Sequence, residues 1–176
     1  MRASSLLFPL LLSGVAMAAA GAGTVACNDA VHDEDVAALG SDVGPKGPTH
    51  RPGEPCLVCH GGGGPAKAVF SFGGTVMQDQ GGNVGAQGAV VFIEDIDGRS
   101  ETVTTNSVGN FFITPDQFAP HYPAQMTVSS SDGTVSQPML SHVARDGSCA
   151  DCHKPTVGPA SPGPVYLNIA STPDGG

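Results

Sequence analysis

The sequence predicts a mainly β protein with little helix, built around a small antiparallel β-sandwich at residues 68–137. Three observations support this fold class. First, six short runs rich in β-branched or aromatic residues follow one another closely, at residues 69–72, 74–77, 89–93, 101–105, 111–114 and 126–129. Second, pairs that form tight hairpin turns lie between several of these runs, at Asp97-Gly98, Gly109-Asn110 and Asp132-Gly133. Third, the close spacing of the turns leaves little room for helices.

The N-terminal residues 1–26 have the pattern of a secretion signal. A basic residue, Arg2, precedes an apolar stretch at residues 6–20, and small residues follow. A membrane span would need roughly 20 apolar residues, and this stretch is shorter. We therefore expect an exported protein that is located in the periplasm, on the outer membrane as a lipoprotein, or outside the cell.

Cys27 is a candidate lipidation site. It follows residues 24–26, where a bacterial lipoprotein carries its acylated cysteine, although such sites usually have leucine in place of Thr24. The alternative is cleavage near Ala18 or Ala20, which would leave Cys27 without an acyl chain. Membrane contact is expected only through a lipid at this cysteine.

The charge of the chain argues against nucleic acid as a partner. The formal net charge is −9, from 7 basic and 16 acidic residues, whereas nucleic acids attract basic surfaces. Acidic residues cluster within residues 29–35 and 94–97. Such a surface suits a redox partner protein that docks through a basic face.

The segments on either side of the predicted sandwich differ from it in composition. Residues 27–49 form a polar arm, predicted to be flexible, in which residues 33–39 could make a short helix. The tail at residues 155–176 is rich in proline and glycine, apart from residues 165–169, which could add an edge strand.

Two C-x-x-C-H motifs flank the sandwich, one in residues 50–67 and one in residues 138–154. They are Cys56-Leu57-Val58-Cys59-His60 and Cys149-Ala150-Asp151-Cys152-His153. This spacing is typical of c-type haem attachment, in which the two thiols form thioethers to one porphyrin and the adjacent histidine binds its iron. Chance placement of 5 Cys and 6 His predicts on the order of 0.005 such motifs in the chain. The sequence therefore predicts two haem c groups, with His60 and His153 as proximal ligands.

Zinc and thiol chemistry are the alternatives for these cysteines. Zinc ribbons usually have roughly 15–20 residues between the cysteine pairs, whereas 88 residues (61–148) intervene here. Zinc also gives no reason for a histidine after both second cysteines. A disulfide within each motif, as in thioredoxin-like proteins, would belong to a βαβ pattern that the sequence lacks.

The second axial ligand of each iron is predicted from the position of the remaining histidines. His50 lies six residues before Cys56, and His142 lies seven residues before Cys149, so both are candidate distal ligands. They could bind the nearer haem, the other haem, or the haem of a neighbouring molecule. Met139 is the rival ligand at the second site. The other histidines, His32 and His121, are expected to be exposed.

The order of motifs in the sandwich resembles a known family. Gly74-Thr75-Val76, residues 88–93, residues 104–106 and residues 109–113 resemble the carboxypeptidase-regulatory-like, transthyretin-related β-sandwich over residues 68–137. Modules of that family are usually scaffolds or binding units without catalytic residues. With the flanking motifs, the whole mature chain resembles the small multihaem cytochromes exported by metal-respiring bacteria. Two haems in about 150 residues are sparse for that group.

The resemblance and the motifs together predict electron transfer by a dihaem cytochrome outside the inner membrane. Low-spin iron with two histidine ligands has no open position, which favours electron relay and argues against an enzyme. Partners would be redox proteins, other multihaem cytochromes or further copies of this chain. The alternatives are a binding or sensing module braced by haem, and a dihaem peroxidase or reductase.

Overall fold

The computed structural model describes residues 30–42, 44 and 46–168. The predicted secretion signal, Cys27 and the end of the tail lie outside the described residues. Among the described residues, no helix is long and apolar enough to cross a membrane.

The described part of the protein is mainly β, as predicted, with seven strands in two sheets and three short helices. The helices are α1 (Ala30–Ala38), α2 (Cys56–His60) and α3 (Cys149–Cys152). The strands are β1 (Phe72–Met77), β2 (Val90–Glu94), β3 (Ser100–Thr104), β4 (Asn110–Ile113), β5 (Gln125–Ser129), β6 (Ser136–Pro138) and β7 (Val165–Tyr166).

The two sheets have the orders β4-β1-β7 and β3-β2-β5-β6. All strand pairs are antiparallel except β1 with β7, which pair parallel through Val76 with Val165 and Met77 with Tyr166. The tail thus contributes an edge strand, but its direction departs from a purely antiparallel sandwich. A parallel pair needs a long connection, and here most of the domain lies between the two strands.

The core lies between the sheets and follows the two-residue period of the strands. On β2, Val91 and Ile93 are fully buried, whereas Phe92 between them is exposed. The largest fully buried side chains are Phe72, Ile93, Ile113, Leu167, Val76 and Val91. Each such side chain contributes about 1.5–3 kcal/mol when it leaves water.

The predicted turns connect the strands as expected. Gly98, Gly109 and Gly133 have φ values of 75°, 81° and 70°, which glycine adopts without strain. Asp95 stabilises the β2–β3 turn because its carboxylate accepts hydrogen bonds from the backbone N–H groups of Asp97 and Arg99, both at 3.0 Å.

Two predicted strands, residues 69–72 and 74–77, are wrong as separate elements. They merge into the single strand β1, which begins at Phe72 and continues through Gly73 and Gly74. Every residue of β1 is buried, because the core covers one face and the segment around α2 covers the other. Continuous burial on both faces explains why β1 lacks the alternation of β2 and β5.

Candidate functional site

Each C-x-x-C-H motif folds into a single helical turn that brings its cysteines onto one face. Helix α2 begins at Cys56, directly after Pro55, and α3 begins at Cys149, directly after Ser148. Residues three apart are neighbours on a helix surface, so the two cysteines of each motif lie on the same side of the turn. All four described cysteines are free, as attachment to a porphyrin requires.

The histidine that follows each cysteine pair is oriented by a backbone carbonyl. The Nδ1 atom of His60 lies 2.8 Å from the carbonyl oxygen of Ala68, and that of His153 lies 3.0 Å from the carbonyl oxygen of Gly163. A carbonyl oxygen can only accept, so Nδ1 carries the proton and Nε2 keeps its lone pair. Histidines that bind metals in proteins have this arrangement.

Strand β1 lies against both motifs at two consecutive glycines. A Cβ atom added to Gly73 would lie 3.0 Å from Cβ of Cys56, and one added to Gly74 would lie 2.6 Å from Sγ of Cys149. Successive residues of a strand face opposite sides, so the two cysteines approach β1 from opposite faces. Motifs separated by 88 residues of sequence (61–148) therefore lie next to one another in the fold.

The first cysteine of each motif is partly buried. Burial, together with the neighbouring Cys56 and Asp151, raises the pKa of Cys149 to about 12. Burial likewise raises the pKa of Cys56 to about 11. Both groups are therefore neutral thiols at physiological pH, which suits a site where a neutral thioether would replace the thiol without leaving a buried charge.

Asn110 holds the loop that carries His50 over the first motif. Its buried side-chain amide donates to the carbonyl oxygens of Pro48 and His50 at 3.2 and 2.9 Å, and its Oδ1 accepts from Oγ1 of Thr75 at 2.7 Å. The backbone N–H of Gly53 donates to the same Thr75 oxygen at 2.7 Å. These hydrogen bonds attach the loop to β1 and β4.

His50 and His60 face the same cleft with a spacing that fits a shared metal ion. Nδ1 of His50 donates to the carbonyl oxygen of Gly47, which leaves its Nε2 as a ligand atom. The ring centroids of His50 and His60 are 5.9 Å apart. Two imidazoles on opposite sides of one metal ion, with bonds of about 2.0 Å, have centroids roughly 6 Å apart.

The first cleft has the size and lining of a cofactor site. Its volume is about 810 Å³, within the range of roughly 300–1,000 Å³ that is usual for ligands. Cys56, Cys59, His50 and His60 all line it. Phe70 stacks on the ring of His60 at a centroid distance of 4.2 Å and fixes the plane of the imidazole. The residues of the first motif therefore fit a covalently attached haem.

The second motif opens onto a cleft of about 420 Å³ between the edge strands β6 and β7. His153 and Met139 both line it. His142 is exposed and is not among the described residues that line this cleft. Cys149 and Cys152 do not line this cleft, but they share the helical turn directly before His153, so a haem held by the motif would have its iron at His153 and thus at the cleft.

The two remaining histidines lie away from these clefts. His121 is exposed and its Nδ1 lies 2.5 Å from the carboxylate of Asp97. Together with Asp95 these residues bring three potential ligand atoms within 4.8 Å. However, the carboxylate of Asp95 is occupied by Arg99, whose guanidinium lies 2.5 Å away, so this cluster stabilises a turn. His32 lies on α1 and lines a groove together with Asp146 and other residues. It is half-buried, whereas the sequence predicted it to be exposed.

Three residues that position the first site were not predicted from the sequence. From the sequence, Asn110 belongs to a predicted turn and Phe70 to a predicted strand, while Gly73 falls between two predicted strands. A Gly-Gly pair inside a β-rich run is the signal that could have indicated a close approach of another segment.

No protein-family model, curated protein or solved structure matches this chain.

Proposed function

We propose that this chain is an exported dihaem c-type cytochrome that transfers electrons outside the inner membrane and is not an enzyme. The observation that carries the proposal is the repeated geometry of the two motifs. In each, two free cysteines share one helical turn, and the next residue is a histidine whose Nδ1 donates to a backbone carbonyl. A zinc ribbon or a redox disulfide would not need that histidine in both places.

At the first site, Cys56 and Cys59 would hold the porphyrin, and His60 and His50 would bind its iron. A haem attached there supplies an iron that alternates between the ferric and ferrous states. Phe70 and the Ala68 carbonyl orient His60, and Asn110 fixes the loop of His50, so that both histidines would be available to bind the iron. Iron bound by both histidines would have no free position for oxygen or peroxide.

The shared strand supports a relay function within one molecule. Gly73 contacts the first motif and Gly74 contacts the second, so groups attached at these cysteines would be anchored on opposite sides of one strand. Such closeness favours electron exchange between them over exchange with a second molecule. The net charge of −9 favours redox partners with a basic docking face.

The proposal is tested on the full chain produced with a functioning cytochrome maturation system. Mass spectrometry of the intact protein is expected to find two haem groups. Replacing Cys56 and Cys59 by alanine removes one of them, and replacing Cys149 and Cys152 removes the other. A Cys27→Ser variant serves as the control and keeps both. A colourless product without added mass would refute the proposal.

A second measurement separates electron transfer from enzymatic haem chemistry. The reduced first haem is expected to remain low-spin and not to bind carbon monoxide without denaturant. The comparison is a variant that lacks Cys149 and Cys152, so that only the first haem contributes. Carbon monoxide binding in this variant would favour the peroxidase or reductase alternative.

A further inference from the structure

The cleft beside the second motif carries a thioether sulfur as well as a histidine. Met139, directly after β6, lines it from one sheet edge, and His153 lines it from the side of β7. Leu140 also lines the cleft and is fully exposed, at 100 %. An apolar plate seated between the two edges would cover this side chain.

We infer that Met139, and not His142, is the second axial ligand of the iron attached through Cys149 and Cys152. The inference rests on the proposed function, because it requires a haem at this motif. The two haems of the chain then differ in ligation, with His60 and His50 at the first and His153 and Met139 at the second.

The backbone of Met139 is held in place, whereas His142 lies on an exposed loop. The N–H of Met139 donates to the carbonyl oxygen of Met126 at 2.8 Å, and its own carbonyl accepts from Nε2 of Gln125 at 2.6 Å. Its side chain is half-buried and packs against the hydrophobic core. Ordering a residue whose backbone is already fixed costs less conformational entropy than ordering an exposed one. Met139 is therefore the better placed ligand.

The other two methionines near His153 are less suitable. Met77 is 8 % exposed and shares with His153 only a cavity of about 80 Å³, which is too small for a porphyrin. Met126 also lines the second cleft, but it is 4 % exposed and is paired with Ile93 in the core. Turning Met77 or Met126 towards an iron would leave a void among packed side chains, which is costly. Met139 is only half-buried, so turning its side chain would uncover less of the core.

Unequal ligation gives the relay a direction. A methionine ligand raises the reduction potential of a haem relative to histidine. The second iron is then the higher-potential centre, and an electron that enters at the first site moves to the second. A redox titration of the holoprotein would show two separate steps.

The test compares the holoprotein with a Met139→Leu variant, which keeps the apolar volume and removes the sulfur. Matched controls are Met77→Leu, which removes a neighbouring sulfur, and His142→Gln. Mass spectrometry first establishes that two haems are attached, so that a failure of the proposed function is recognised separately. The readouts are the near-infrared charge-transfer band of thioether-ligated ferric iron, the redox titration and carbon monoxide binding.

Met139→Leu is expected to abolish the near-infrared band, to lower the higher of the two potentials, and to let one reduced haem of the two bind carbon monoxide. Both controls are expected to behave like the unchanged protein. The inference is overturned if the unchanged holoprotein lacks the band, or if Met77→Leu abolishes it. It is equally overturned if His142→Gln, and not Met139→Leu, opens the second iron to carbon monoxide.

Discussion

Replacing Gly74 with alanine is expected to destabilise the protein because the new methyl group has no room. It would lie 2.6 and 2.7 Å from Sγ and Cβ of Cys149 and 3.2 Å from Cε1 of Phe111. Neither neighbour is the free end of a flexible chain, since α3 holds Cys149 and Phe111 is buried in the core. Overpacking of this kind costs about 1–3 kcal/mol, a large part of a stability of about 5–15 kcal/mol.

Two further alanine substitutions test whether the loss of stability depends on the distance between the new methyl group and its nearest atoms. At Gly73 the closest atoms are Cβ of Cys56 at 3.0 Å and Cδ1 of Leu57 at 3.3 Å, so a smaller loss is expected. At Gly63 nothing lies within 4 Å, and this variant is the control.

The assay is guanidinium unfolding of the holoproteins, followed by far-ultraviolet circular dichroism. With an m value of about 4 kcal/mol/M, a loss of about 2 kcal/mol lowers the midpoint by about 0.5 M. The expected order of midpoints is Gly63→Ala highest, then Gly73→Ala, then Gly74→Ala. If Gly74→Ala matched the Gly63→Ala control, the close packing of α3 on β1 would be refuted.

Three other predictions concern the first site and the β2–β3 turn. Asn110→Ala removes a buried hydrogen-bond network, so it is expected to cost about 1–3 kcal/mol in thermal unfolding, whereas the exposed Asn83→Ala costs little. His50→Gln is expected to let one reduced haem bind carbon monoxide, as the optical spectrum would report, and His121→Gln is expected not to add such a site. Burial opposes ionisation of Asp95, but hydrogen bonds from the backbone N–H groups of His121 and Arg99 and from the Arg99 guanidinium outweigh it and lower its pKa. Its contribution to stability is thus present above the unfolded pKa of about 3.9 and lost as pH falls through the folded value. In Asp95→Asn, the free energy of unfolding measured by chemical unfolding should therefore decrease less at acid pH than in the unchanged protein. An unchanged acid limb would contradict the assignment.

Features that depend on residues close together in the sequence could be predicted from it. The fold class, the short strands and the glycine turns follow from local patterns such as Val91 and Ile93 alternating with Phe92. Strand β6 was missed because its three residues, Ser136–Pro138, carry no apolar pattern, and the pairing with β5 alone defines them as a strand.

Features that depend on tertiary packing could not be predicted. The merging of two runs into β1 depends on Cys56 and Cys149 occupying the space that side chains at residues 73 and 74 would take. The position of His50 depends on hydrogen bonds from Asn110, 60 residues away in the chain. The spacing of His142 before its motif resembles that of His50, but His142 lies exposed in the structure.

The sharing of β1 limits how the chain could be divided. Residues 48–60 lie over one side of this strand, while Gly147 accepts a hydrogen bond from Gly73 and packs on Phe72 on the other. Truncation before residue 147 would expose Phe72 to water. Removal of the chain up to residue 60 would expose Thr75 and Met77. Neither shortened chain would keep β1 covered on both sides, so neither is expected to fold independently. A single-haem form would have to keep the full length and exchange only the cysteines of one motif.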